Sequence, residues 1–137
     1  MSVLRTSVTV TEAAQHLING YCVAMPTETV YGLAARFDSI AGIQSIFRLK
    51  ERPLFDPLIV HISNFDQIKS LARHWPLEAE SLARRFWPGP LTLVVDKADT
   101  VSSLITAGLE TVGLRMPDHP MALELIEGRV NVREAED

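Results

Sequence analysis

Short β-type runs alternate with short amphipathic helical runs along the whole chain, and no other feature narrows the possible folds as much. Tyr21 to Met25, Leu58 to Ile62 (LIVHI), Leu91 to Val95 and Thr111 to Met116 read as strands. Between them lie helical faces. Thr9 and Glu12 have capping-box spacing, followed by Ala13, Leu17 and Ile18 on one face and a stop at Gly20. Ser39 is placed to cap a helix with Ile40, Ile43 and Phe47 on one side. Ser63 and Asp66 repeat the capping-box spacing ahead of Phe65, Ile68 and Leu71, and Pro76 suits the first position of a helix running to Phe86. Trp87-Pro88-Gly89-Pro90 fixes a sharp corner, with Trp87 and Phe86 expected to seal core beneath it. Val101 to Ile105 is a short helical or loop piece, and His119 to Ile126 a last helix closed by Gly128. The pattern predicts a mixed α/β domain with helices packed on a twisted sheet, and leaves strand order open.

The 137 residues suffice for one domain, taken as 1–137, with 47% apolar and 22% charged residues to build a core and a solvated surface. A net charge of −4 excludes a protein that coats nucleic acid through an overall basic surface, though not a local basic cleft. The single cysteine, Cys22, forms no intramolecular disulfide and reads as a packed, unreactive thiol, so a reducing, cytoplasmic setting is expected. The four histidines (His16, His61, His74, His119) have no metal-ligand spacing, and no apolar run reaches membrane-spanning length.

Several residues could carry chemistry. Pro53 pushes Arg52 toward extended geometry; if residues 50 to 52 are extended, Lys50 and Arg52 share a face and could clamp a phosphate. The alternative is a solvated basic pair complementing a helix C-terminus. Pro26-Thr27-Glu28-Thr29-Val30-Tyr31-Gly32 sets two hydroxyls and a carboxylate after a strand, as a ligand loop or an ordinary turn. His61 lies within an apolar strand, where a satisfied core histidine is the commoner role. Arg115 lies in the apolar run TVGLRMP, and a buried arginine needs an anionic partner, from the protein or from a ligand. Asp118 or His119 could cap the last helix, with Asp118 favoured.

Taken together, these segments resemble the YrdC/Sua5 family. PTETVYGL at 26–33, LKERP followed by DPLIVHI at 49–62, FWPGPLTLV at 86–94 and TAGLETVGLRMPDHP at 106–120 fall in the family's order and approximate spacing. The resemblance implies a twisted open mixed sheet with flanking helices around a concave cleft. It also implies L-threonylcarbamoyladenylate synthase activity: L-threonine, bicarbonate and ATP, with Mg²⁺ accompanying the nucleotide, give threonylcarbamoyl-AMP and pyrophosphate. A downstream threonylcarbamoyl transferase then modifies adenosine 37 of tRNA, and some members bind tRNA or double-stranded RNA.

By motif, Thr29, His61 and Arg115 correspond to threonine-binding positions. Lys50, Arg52, Asp56 and Thr111 correspond to the nucleotide side, with Lys50 and Arg52 offsetting charge in the reaction. Asp56 departs from the neutral or basic residue common there. The family also continues with a strand and an A-P-S-A-N segment that complete the substrate site, whereas this sequence ends in RVNVREAED. The expectation is therefore a chain lacking the family's C-terminal segment. An inactive nucleotide- or RNA-binding module is the alternative, and a carbamoyl-phosphate branch of hydrogenase maturation is disfavoured because its domain sits within a longer chain.

Overall fold

A computed structural model describes residues 10–26, 31–51 and 57–127. Its elements are α1 (Val10–Ile18), β1 (Val23–Pro26), β2 (Tyr31–Ala34), α2 (Ile40–Lys50), β3 (Ile59–His61), a 3-10 helix (Phe65–Ser70), α3 (Leu77–Phe86), β4 (Leu93–Asp96), α4 (Ser103–Thr106) and β5 (Thr111–Arg115). Residues 120–127 form a further helix, α5. No helix among the described residues is long and apolar enough to cross a membrane. Thr9, Gly128 and the Val-Asn-Val run lie outside the described residues.

Alternation of β and α runs thus yields the expected mixed α/β architecture, but the described strands form two sheets. β1 and β2 pair antiparallel, while the other three lie in the order β3-β5-β4, with β3 parallel and β4 antiparallel to β5. Because directly paired residues share a face, the register divides this second sheet cleanly. Val60, Leu93, Val95, Val112 and Leu114 turn inward onto Ile43 and Phe47 of α2, Ile68 and Leu71 of the 3-10 segment, Ala79 and Ala83 of α3, and Ile105 of α4. The opposite face carries Ile59, His61, Thr111, Gly113, Arg115, Val94 and Asp96. A second, smaller cluster joins Ala13 and Ala14 of α1 and Met25 of β1 to Ala122 and Leu125 of α5.

Local sequence signals explain most element ends. Ser39 accepts a hydrogen bond from the Gly42 amide at 3.1 Å and starts α2. Only part of the predicted apolar stripe is inward, however: Ile43 and Phe47 are buried with Ile46, while Ile40 is about half exposed at the helix's first turn. The predicted Ser63 cap is replaced by Asn64, whose side chain accepts from the Gln67 amide at 3.3 Å. Ser63 instead donates to Glu127 of α5 at 2.8 Å, tying the 3-10 turn to the last helix. Pro76 occupies the cap position rather than the first helical one. At α5 His119, one of the two expected caps, makes a cap bond, its Nδ1 accepting from the Met121 amide at 3.2 Å.

The corner at residues 87–90 contains a cis Trp87–Pro88 peptide. Trp87 is buried, donates its indole N–H to Leu91 O at 2.7 Å and stacks on Trp75 with centroids 6.1 Å apart. Phe86 faces outward and is half exposed, so of the two aromatic residues at 86 and 87 it is Trp87 that packs into the core. Trp75 donates to Glu80 at 2.8 Å, and Arg84 pairs with the same carboxylate.

Those two bonds, the Trp75 bond first, hold the Glu80 carboxyl below the ordinary carboxylate range. A pKa lowered by folding contributes stability above the unfolded value and loses it as pH falls through the folded one. Acid titration of tryptophan fluorescence should therefore show a step below pH about 4.3 that vanishes in Glu80→Gln. An identical step in the variant would assign it to another group.

Candidate active site

β3 and β5 run parallel and end side by side, and their last residues, His61 and Arg115, are register partners on the same face. Their juxtaposition needs no local sequence relation between the two; the strand pairing creates it. Arg115 is 8% exposed, so an almost fully desolvated guanidinium stands at a strand end. Its Nε donates to the Gly89 carbonyl at 3.2 Å, and the Gly89 amide donates to Met116 O at 2.8 Å. The tryptophan-proline-glycine-proline corner is thereby stitched to the end of β5, and the planar guanidinium is turned by its Nε bond. This coupling escaped the sequence reading, which gave the corner a packing role only.

Both residues line a cavity of about 370 Å³ between the two core clusters. Leu17, Met25, Leu33 and Leu125 wall it from one side, and Val60, Ile62, Leu71 and Ile105 from the other. A mostly apolar wall with a few converging polar groups is the usual composition of a small-molecule site. Arg36, which the sequence reading also passed over, reaches this cavity just after β2. Asp38 already engages it, with Nε–Oδ1 2.9 Å and Nη2–Oδ2 2.7 Å, so much of its charge is locally compensated.

The remaining expected site residues are placed differently. Thr111 shares the outer face of β5 with Arg115 but lies at the opposite end of the strand, opposite Asp96. Lys50 is the last residue of α2 and exposed. The extended path from Lys50 onward does not form, because Glu51 adopts a left-handed conformation (φ 52) that closes the helix, its amide bonding back to Arg48 O at 3.2 Å. Helix closure therefore overrides the alternation on which the Lys50 and Arg52 clamp geometry rested. Thr29, Arg52 and Asp56 lie outside the described residues. Cys22 precedes β1, half-buried, and burial raises its thiol pKa, which keeps it protonated and weakly nucleophilic at neutral pH.

A buried arginine and a histidine thus stand at the carboxyl ends of adjacent parallel strands of an α/β protein and line a cavity. Residues 15–131 match the Sua5/YciO/YrdC family, described as "Telomere recombination". The chain belongs to that family.

The threonylcarbamoyl-AMP synthase of Pyrococcus abyssi is 53% identical over 115 residues, and that of Bacillus subtilis 48% over 118. These alignments cover 84% and 85% of this chain but 34% of each relative, so the chain spans about a third of their length. The crystal structure of P. abyssi Sua5 complexed with L-threonine superimposes with a TM-score of 0.86 at 50% identity, covering 88% of this chain and 36% of that one. Escherichia coli YciO, at 19% identity and a TM-score of 0.78, shares the fold.

Proposed function

We propose that this chain carries the threonine- and nucleotide-binding part of an L-threonylcarbamoyladenylate synthase. The reading rests on Arg115, a buried, oriented guanidinium beside His61 in a chain half identical to relatives bearing that name. Arg115 pairs with the threonine carboxylate, which answers why a cation occupies an otherwise apolar strand. His61 and Thr29 complete the hold on the amino acid.

The amine condenses with bicarbonate, releasing water and leaving a carbamate. A carbamate oxygen then forms a bond to the α-phosphorus of ATP as the bond to the pyrophosphate oxygen breaks. Lys50 and Arg52, with the positions of Asp56 and Thr111, serve the nucleotide. Their cations offset the repulsion among carboxylate, carbamate and triphosphate and the charge that develops at phosphorus. Mg²⁺ accompanying the triphosphate would supply further neutralisation of its charge beside Lys50 and Arg52. The product serves a tRNA-modifying transferase.

The deciding experiment is pyrophosphate release from Mg·ATP by the 137-residue chain. Release requiring both L-threonine and bicarbonate, and lost in Lys50→Ala, is the expected result. Threonine binding without release would reduce the chain to a binding module, the second reading; release indifferent to threonine would end the proposal.

A further inference from the structure

Most glycines described in this chain have a local reason to be glycine. Gly20 and Gly108 take positive φ angles (88 and 80), and a Cβ on Gly42 would stand 2.9 Å from the Ala35 Cβ. Gly32, within β2, has no such reason. Its φ lies outside the left-handed region, and among the described residues no heavy atom comes within 4 Å of a Cβ built on it. Pairing of β1 with β2 runs without a break from Val23 and Ala34 to Pro26 and Tyr31, so no bulge requires it. Glycine weakens a strand interior, because it loses more freedom on folding than other residues and brings no side chain to pack. Alanine would serve the fold better.

The face on which that side chain is missing is fixed by register. Gly32 is paired with Met25 and shares its face, with Ala34 two residues further on. Met25 is 5% exposed and belongs to the smaller core cluster, on which Ala34 also packs. Gly32 and Met25 both line the cavity that His61 and Arg115 line. The Cβ position of Gly32 is therefore a notch in an apolar stretch of cavity wall. With strain, crowding and a bulge set aside, a strand glycine of this kind marks close approach of a ligand to the backbone.

We infer that Gly32 is a specificity-determining residue whose backbone receives the side-chain methyl of the bound amino acid. The inference rests on the threonine reading above and deepens it, since that reading assigns nothing to the methyl group. An apolar wall suits a methyl and not a phosphate or a carboxylate. Arg115 fixes the carboxylate, so the methyl cannot slide away from an added Cβ, although the cavity has room elsewhere.

Calorimetric titration of the 137-residue chain with L-threonine and with L-serine isolates the methyl, the one group by which the two differ. Wild type should bind threonine about fourfold or more tightly than serine. Gly32→Ala should weaken threonine about tenfold and serine by less than about twofold, so that serine becomes the better ligand. Its melting temperature should stay level or rise, because alanine suits the backbone there and meets no atom. A glycine kept for structural reasons would show the opposite, a lower melting temperature with equal losses for both amino acids.

Equal wild-type affinity for the two amino acids, or unchanged threonine affinity in Gly32→Ala, overturns the inference and leaves the threonine reading standing. An equal loss for both ligands does the same, since it would put the added methyl against a group they share. A variant that fails to fold also overturns it, by returning the glycine to the fold. A wild-type chain that binds neither amino acid removes the reading and the inference together.

Discussion

Arg115→Ala is expected to weaken L-threonine binding by about 1.5–3 kcal/mol, roughly ten- to hundredfold, the scale of hydrogen bonds to a charged group. ATP affinity should fall far less. The asymmetry follows from position: the guanidinium stands at the carboxyl end of β5 beside His61, with its Nε fixed on the Gly89 carbonyl. Arg115→Lys should recover little, because an ammonium keeps the charge but loses the planar fork that the Nε bond orients. Calorimetry with threonine and with ATP, on variants shown to be folded, reads both numbers. Equal losses for the two ligands would remove Arg115 as the carboxylate partner and make its role structural.

Gly89→Ala carries the second large effect, through the same bond. A Cβ at Gly89 would lie 2.4 Å from the Phe86 carbonyl oxygen, a backbone atom that cannot rotate away. The corner must shift, at a cost of about 1–3 kcal/mol, and the melting temperature should drop by roughly 3–10 °C. The Gly89 amide bond to Met116 and the carbonyl bond from Arg115 move with it, so threonine affinity should fall although the substituted residue bears no functional group. A variant with wild-type melting and wild-type threonine binding would show that the corner does not set the arginine. Phe86, half exposed at the same corner, offers a contrast: its truncation should leave the Arg115 contact undisturbed.

Much of the fold was legible because its signals are local. A serine before a helix offers its oxygen to the next turn whatever surrounds it, so Ser39 could be recognised as the α2 cap from sequence. Apolar runs of strand length placed β3, β4 and β5 to within a residue or two, and five motifs in order pointed to the family before any contact was known. The errors also have local causes. Ser63 and Asn64 both present capping oxygens, and periodicity cannot choose between adjacent candidates; the bond from Ser63 to Glu127, far along the chain, is what commits Asn64. Ile40 fits the apolar stripe of α2 yet sits at its exposed first turn, because a stripe says which residues align and not how far the neighbouring elements extend.

The site divides along the same line. By itself the sequence determined that Arg115 lies in an apolar strand, where an arginine has to find partners because burying a charge without them is costly in any fold. It could not determine what stands beside that arginine. His61 became its neighbour through the parallel register of β3 with β5, and Gly89 its acceptor through contact between segments 26 residues apart. The alternation of β5 likewise shows that Thr111, Gly113 and Arg115 share a face, but only pairing with both neighbouring strands sets Ile59 and Val94 on either side of the glycine. Lys50 is the converse case: a left-handed Glu51, invisible to a rule based on the following proline, turned an expected extended segment into a helix end. Local energetics write the elements into the sequence; which faces meet is decided by non-local pairing and burial, and that belongs to the tertiary structure alone.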